Sequence, residues 1–376
     1  MSPTEGGRVL RRLLQRIGWR RHRPVRFAIM FARRALGFGL YYSGALTFWR
    51  HGGTSRGSPL ILMYHSVGGR GLSPDIVVSR GHFEAHIRHV RRHYRLWSLQ
   101  DVVTLIEAGR PVPGNALVIT LDDGYRDNFE EGFDILKRYE CPATVFVTVE
   151  PVETGRLPWP QALWRHLNAT QQCELQVSWQ SANGAAIDRV LPLRTDHERA
   201  DARIVLKMFA GGLGPRERED FLNTIARNLG CIDESDEDET RAMLTWDQLR
   251  EMSRWGISIG GHTMTHPRLS GLDTETVRHE LVESRRILGE ELKTDIKLFA
   301  YPFGGPDSFN QGTKREVAAA GYTVACSAVV GRGAASVDLQ ALDRVYIPDE
   351  PVWRFAIRLL RLRTESRLIA WTLREN

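Results

Sequence analysis

A chain of 376 residues, 42% hydrophobic and 26% charged, has the composition of an ordinary soluble protein and is long enough for one large domain with insertions or two modest ones. Its four cysteines, at 141, 173, 231 and 326, have no C-x-x-C spacing, which excludes a metal or redox cluster among them and a disulfide framework, and leans toward a reducing compartment. The net charge of +6 conceals an asymmetry: residues 1–50 hold eleven arginines and one acid, Glu5, leaving 40 of the 51 basic groups and 44 of the 45 acidic groups to the rest.

The arginines of residues 1–57 are interleaved with apolar residues such as Leu13, Ile17, Trp19 and Phe27, a pattern predicting a basic amphipathic segment. Its longest uncharged stretch, Ala35 to Trp49, is fifteen residues, short of the roughly 20 needed for a membrane-spanning helix. No clear cleavage region is visible, so a cleaved signal peptide is not expected. The segment suits either an anionic membrane surface or packing on the main domain. No nucleic-acid-binding motif accompanies the basic charge, so no nucleic-acid partner is expected. The expected location is the cytoplasm or the cytoplasmic face of the inner membrane.

Strands are predicted near 59–64, 116–121, 143–148, 257–260, 298–301 and 323–327, alternating with helices near 82–93, 99–108, 126–139, 246–255, 275–291 and 312–320. Ser98-x-x-Asp101 and Thr245-x-x-Gln248 read as capping boxes opening two of the helices. The alternation predicts an α/β fold with a parallel barrel or doubly wound sheet, and chemistry-bearing residues at several strand ends favour the barrel. Residues 155–242 interrupt the repeat as an insertion, with strand-like sequence around Cys173 to Leu193, helical sequence to Leu229 and an acidic run from Asp233 to Glu239. Residues 349–376 read as a basic amphipathic helix, with Arg354, Arg358 and Arg361 on one face.

Three strand ends carry the chemistry. The apolar run Ala116–Leu121 stops at Asp122-Asp123-Gly124, where the glycine lets the chain turn so that both carboxylates can approach one pocket. The strand ending Ile259-Gly260-Gly261 delivers His262-Thr263-Met264-Thr265-His266, whose histidines share a side if the chain turns helically after His262. Imidazole nitrogens and a carboxylate suit a first-row divalent metal, and the second carboxylate is free to act as a base. The third, Leu298 to Ala300, breaks into Tyr301-Pro302-Phe303-Gly304-Gly305, able to expose backbone N–H groups and build a hydrophobic wall.

Taken in order, TLDDG, HTMTH and FAYPFG resemble the first three motifs of the polysaccharide deacetylase family, also called the NodB-homology or carbohydrate esterase family 4. Leu62-Met63-Tyr64-His65-Ser66-Val67 is similar to the opening strand of its Tyr-Pro-Phe-Gly branch. The resemblance implies a distorted (β/α) barrel of seven strands over residues 58–348, with an insertion between motifs one and two. It also implies a cell-envelope hydrolase that removes acetyl groups from an N- or O-acetylated saccharide; the basic apolar ends of the chain add the expectation that this saccharide is carried on a membrane lipid. By that resemblance Asp122 is the general base, Asp123, His262 and His266 hold one divalent metal, usually zinc, and Tyr301, Pro302 and Phe303 serve substrate and oxyanion. Two departures stand out. Ala300 occupies the place of an arginine that orients the base in the widespread motif, and the late histidine that serves as acid is replaced by Leu342-Asp343-Arg344-Val345. His65, Asp343 and Arg344 are the candidates to support the base or supply the acid. A deformylase or other amide hydrolase on the same scaffold, and a saccharide-binding protein without turnover, are the alternatives.

Overall fold

The computed structural model describes residues 23–43, 59–182, 184–231, 242–330 and 338–363. The acidic run 233–239 and the basic residues 1–22 and 44–58 lie outside the described residues. The chain divides into two units, residues 56–350 and a second made of 1–55 with 351–376.

In the larger unit the strands are β1 (Leu60–Tyr64), β2 (Ser66–Val67), β3 (Val77–Val78), β4 (Arg95–Leu96), β5 (Ala116–Leu121), β6 (Thr144–Val147), β7 (Glu174–Gln180), β8 (Ala186–Pro192), β9 (Ser258–Gly261), β10 (Leu298–Ala300), β11 (Val324–Cys326) and β12 (Val345–Tyr346). Seven of them form a parallel path in the order β11-β10-β9-β6-β5-β1-β12, with β4 pairing the start of β5. The segment 339–346 joins the two ends of this path. Leu342 bridges Cys326 at the end of β11, and three residues later Val345 pairs with Leu62 of β1. The result is the distorted α/β barrel that the motifs imply.

Every residue of β5 is buried, as expected of a parallel strand covered on both faces. Burying each such apolar side chain contributes about 1.5–3 kcal/mol. The six predicted strands all form, whereas β2, β3, β4 and β12, at two residues each, are too short for a periodic signal.

The helices fall near their predicted places, at Arg80–His93, Leu99–Glu107, Trp246–Trp255, Thr274–Leu292 and Gln311–Ala319. Thr245 and Gln248 make both arms of the capping box, but Ser98 makes only one: it accepts the Asp101 N–H at 3.0 Å while its hydroxyl donates to the Asp101 carboxylate at 2.7 Å. The predicted helix 126–139 opens as a π-helix, Asn128–Phe133, before the α-helix Asp134–Arg138. At its start, Asp127 accepts from Ser66 Oγ at 2.6 Å and Val67 N at 2.9 Å, and Asn128 Nδ2 donates to His65 O at 2.6 Å. These bonds hold the first turn against the β1–β2 segment, and wide turns of this kind are frequent beside functional sites. Burial pushes the Asp127 carboxyl up to about 6 despite the hydrogen bonds that favour its charge.

The insertion contains the helices Trp159–Ala169, Asp196–Ala210 and Pro215–Asn228 and the antiparallel hairpin β7–β8. It has its own core, centred on Leu163, Leu206, Phe221 and Ile225.

In the smaller unit, the helix Arg23–Tyr42 packs Leu40 and Tyr41 against Trp353, Ala356, Ile357 and Leu360 of the helix Val352–Arg363. Gly37 permits this approach, since a Cβ there would sit 2.7 Å from the Trp353 ring. Among the described residues, no helix is long and apolar enough to cross a membrane.

Candidate active site

The three motif-bearing strand ends meet at one end of the barrel. After β5 the ladder continues for one residue, the Asp122 N–H donating to Tyr64 O at 3.0 Å. Asp123 (φ 73°) and Gly124 (φ 88°) then turn the chain through left-handed conformations, one of them uncommon for an aspartate. β9 can approach because Gly260 and Gly261 lie under the Phe146 ring and the Tyr322 hydroxyl, where a Cβ would come within 2.7 Å and 2.2 Å. His262 follows directly, its N–H donating to Val147 O at 2.8 Å.

His266 reaches the same side by a different route from the expected helical turn. Residues 262–268 form a loop in which Thr263 (φ 69°) and His266 (φ 57°) are left-handed. The loop wraps the buried Glu280 carboxylate, which accepts the N–H groups of Met264 at 2.8 Å and Thr265 at 2.9 Å and the Thr265 hydroxyl. Arg218 of the insertion donates to Thr265 O at 3.1 Å, and Trp159 Nε1 donates to His266 O at 2.9 Å. Such backbone strain persists only where surrounding bonds over-determine it.

The two adjacent aspartates have opposite surroundings. Arg344 forks onto Asp122, with Nη1 to Oδ1 and Nη2 to Oδ2 both at 2.7 Å. The guanidinium is itself held by Ser327 O at 2.8 Å and Thr120 Oγ1 at 3.1 Å, and is 1% exposed. Burial alone would raise the Asp122 carboxyl, but Arg344, with His262, carries it below its ordinary value. Asp123 has no such cation. Its buried Oδ1 has no hydrogen-bond partner and lies 3.4 Å from His262 Nε2 and 3.3 Å from His266 Nε2. His262 Nδ1 donates to Ala300 O at 2.7 Å, so the neutral ring turns a lone pair, at Nε2, toward the carboxylate.

A lone pair facing a buried carboxylate oxygen is unfavourable unless a cation sits between them. A tetrahedral site with bonds of about 2.05 Å has donor–donor edges of about 3.3 Å, the spacing seen here. The three donors lie within 4.8 Å of one another, and the residues present therefore fit a divalent metal. Each carboxylate is matched differently: Asp122 by an arginine, Asp123 by a place for an ion.

A cavity of about 360 Å³ opens over these groups, within the range of small-ligand sites. His65 and Tyr301 line it from the barrel, Gln161 and Lys207 from the insertion. His65 is half-buried with no partner for Nδ1, and burial lowers its pKa against the pull of Asp123 and Asp122. Phe303 (φ 62°) packs its ring 4.9 Å from that of His266, and its N–H makes no hydrogen bond among the described residues. Tyr301 spends its hydroxyl on Gln340 O at 2.9 Å, Pro302 is not part of the cavity wall, and Asp343 is exposed. Of the late candidates only Arg344 reaches the carboxylates. Lys207, Trp159 and Glu280 also shape the site, and no motif in the sequence points to them.

A barrel with paired carboxylates and two histidines gathered at its strand ends has the parts of a hydrolytic site. The family model described as polysaccharide deacetylase matches residues 109–181 and 221–325. Over 288 residues, 76% of this chain and 70% of the relative, the sequence is 20% identical to YxkH of Bacillus subtilis (strain 168), whose name assigns it provisionally to the polysaccharide deacetylases. The fold is similar to that of the Streptococcus pyogenes deacetylase PplD, solved with acetate, at a TM-score of 0.51 and 18% identity, covering 81% of this chain and 98% of that one. The matched segments, which hold all three motifs, make the chain a hydrolase of the polysaccharide deacetylase (NodB homology) type.

Proposed function

We propose that this hydrolase is metal-dependent and removes acetyl groups from an N- or O-acetylated saccharide, with Asp122 as the general base. The observation that carries the reading is the division of labour between adjacent carboxylates, one forked by Arg344 and one facing two imidazole nitrogens. Asp123, His262 and His266 would hold the metal, zinc or another first-row divalent ion, which supplies a Lewis acid that acidifies water and polarises the acyl carbonyl.

The chain's own residues do the rest. The Arg344 fork leaves each Asp122 oxygen a lone pair, fixes the carboxylate plane and keeps it ionised, ready to take a proton from the attacking water. A carboxyl with a depressed pKa is a strong acid once protonated, so the same group passes the proton on to the leaving nitrogen. His65, held toward its neutral form by burial, orients the water or substrate instead. The Phe303 N–H is the donor available to the developing oxyanion. Ala300 offers no arginine, but Arg344 does the orienting from the segment that closes the barrel, which removes the main motive for a binding protein without turnover. In Asp122→Asn, acyl release is expected to fall about 10²–10⁴-fold with bound metal retained; undiminished turnover would overturn the assignment.

We also propose that the substrate is lipid-linked and the protein peripheral to an anionic membrane surface on the cytoplasmic side. Support comes from the eleven arginines of residues 1–50 and from the exposed Phe38 and Tyr42 on the helix Arg23–Tyr42. Basic segments of this kind gain about 1 kcal/mol per cation at such surfaces. The intact protein should sediment with anionic vesicles and not with neutral ones; equal sedimentation with both would sink this part.

A further inference from the structure

The insertion brings a cation to the cavity that the hydrolysis described above does not use. Lys207 lies on the helix Asp196–Ala210, and Arg268 follows the HTMTH loop; both line the cavity. Their elements are joined, the Arg268 N–H donating to Gly211 O at 3.2 Å just beyond that helix. Both cations pack on the Phe303 ring, Lys207 Nζ at 4.9 Å and the Arg268 guanidinium at 5.6 Å from its centroid.

Among the described residues neither forms an ion pair, and Arg268 Nε is buried with no hydrogen-bond partner. The carboxylates nearby are committed. Asp75 is paired with Arg203, which also donates to Ser73 Oγ at 2.8 Å. Asp122 is forked by Arg344, and Asp123 faces the two histidines. A buried guanidinium N–H without a partner is unfavourable, and with the Lys207 ammonium on the same wall it makes this side of the pocket short of negative charge.

We propose that the pocket selects a saccharide bearing an anionic substituent, phosphate or carboxylate, close to the acyl group, and that Lys207 and Arg268 bind it. The proposal rests on the deacetylase reading and names its substrate class. Charge-assisted hydrogen bonds from a guanidinium and an ammonium converge on such an anion, while the Phe303 ring between them and the catalytic groups sets how far the substituent stands from the scissile bond.

The test compares acyl release from a neutral N-acetylhexosamine oligosaccharide, an N-acetylhexosamine 1-phosphate and an N-acetylhexosaminyl uronate, using wild type, Lys207→Met and Arg268→Gln. In parallel, calorimetry measures the binding of the same three ligands to Asp122→Asn. Wild type should favour at least one anionic substrate in kcat/KM, and which one identifies the anion. Each variant should lower the anionic-to-neutral ratio about tenfold, as should raising salt to about 0.5 M. Lys207→Met keeps the apolar stem against Phe303, so a merely structural brace would not change the ratio. Equal kcat/KM for neutral and anionic substrates in wild type, or a preference that survives both variants, would overturn the proposal. Absence of release from every substrate would defeat the deacetylase reading instead, and tighter calorimetric binding of an anionic ligand would still uphold the anion site, just as equal binding would remove it.

Discussion

The barrel rim and the insertion form two walls of one cavity, and they are built by different physics. At the rim, Asp122, Asp123, His262, His266 and Arg344 are all buried, and they are held by short polar bonds and left-handed backbone at Asp123, Thr263, His266 and Phe303. The insertion packs an apolar core of its own around Leu206 and Phe221 and reaches the rim through a few polar ties, among them Trp159 to His266 O and Arg218 to Thr265. A polar, strained rim fixes chemistry within fractions of an ångström, whereas a separately packed wall can change its side chains without disturbing the reacting groups. The difference predicts that damage to the rim abolishes the reaction and damage to the insertion alters which substrate is accepted.

Arg344→Gln should break the rim most severely of the variants that keep every metal donor. Removing one member of a buried pair leaves an uncompensated charge and costs about 3–5 kcal/mol of stability. In the pH profile, loss of the guanidinium raises the depressed Asp122 pKa, so the base is protonated up to a higher pH. The acid limb of kcat/KM should move to higher pH, and an unmoved limb would mean that Arg344 does not act on the base. Lysine should not restore the profile, because it cannot reproduce the two-bond fork.

Phe221→Ala, in the insertion core, should cost about 3–5 kcal/mol in thermal or denaturant unfolding, yet its effect on turnover should appear mainly in KM. A fall in kcat as large as that of Asp122→Asn would erase the distinction between the walls. The smallest effect is expected for Trp159→Phe, which keeps the ring and deletes only the N–H donated to His266 O. A loss of about 1 kcal/mol in stability, with no more than a few-fold weakening of metal binding by titration, would match a tie that supports the loop without shaping the donors.

Much of this architecture was legible in the chain. Six buried strands announced themselves because parallel strands covered on both faces must be apolar throughout, as in Leu117-Val118-Ile119. The motif residues were legible because Asp122-Asp123-Gly124 and His262 to His266 combine ligand types with strand ends. What stayed hidden depends on contacts distant in sequence. Arg344, one of three candidates that the motif resemblance offers, stands 222 residues from Asp122, and nothing local tells that it, rather than its neighbour Asp343, meets the base. The His262–His266 turn was expected to be helical because four-residue spacing suggests it, but Glu280 offers the loop N–H groups a carboxylate that competes with helix formation. Lys207 reads as an ordinary solvent-facing lysine on an amphipathic helix until the insertion is folded back over the rim.

The most direct test of the central claim is bound metal and acetate release measured together, on wild type and on the double variant His262→Ala, His266→Ala. Close to one divalent ion per chain is expected in wild type, and loss of both the ion and acetate release in the double variant, with the fold retained by circular dichroism. Wild type that releases acetate without a bound divalent ion, or a double variant that keeps both, would contradict the claim.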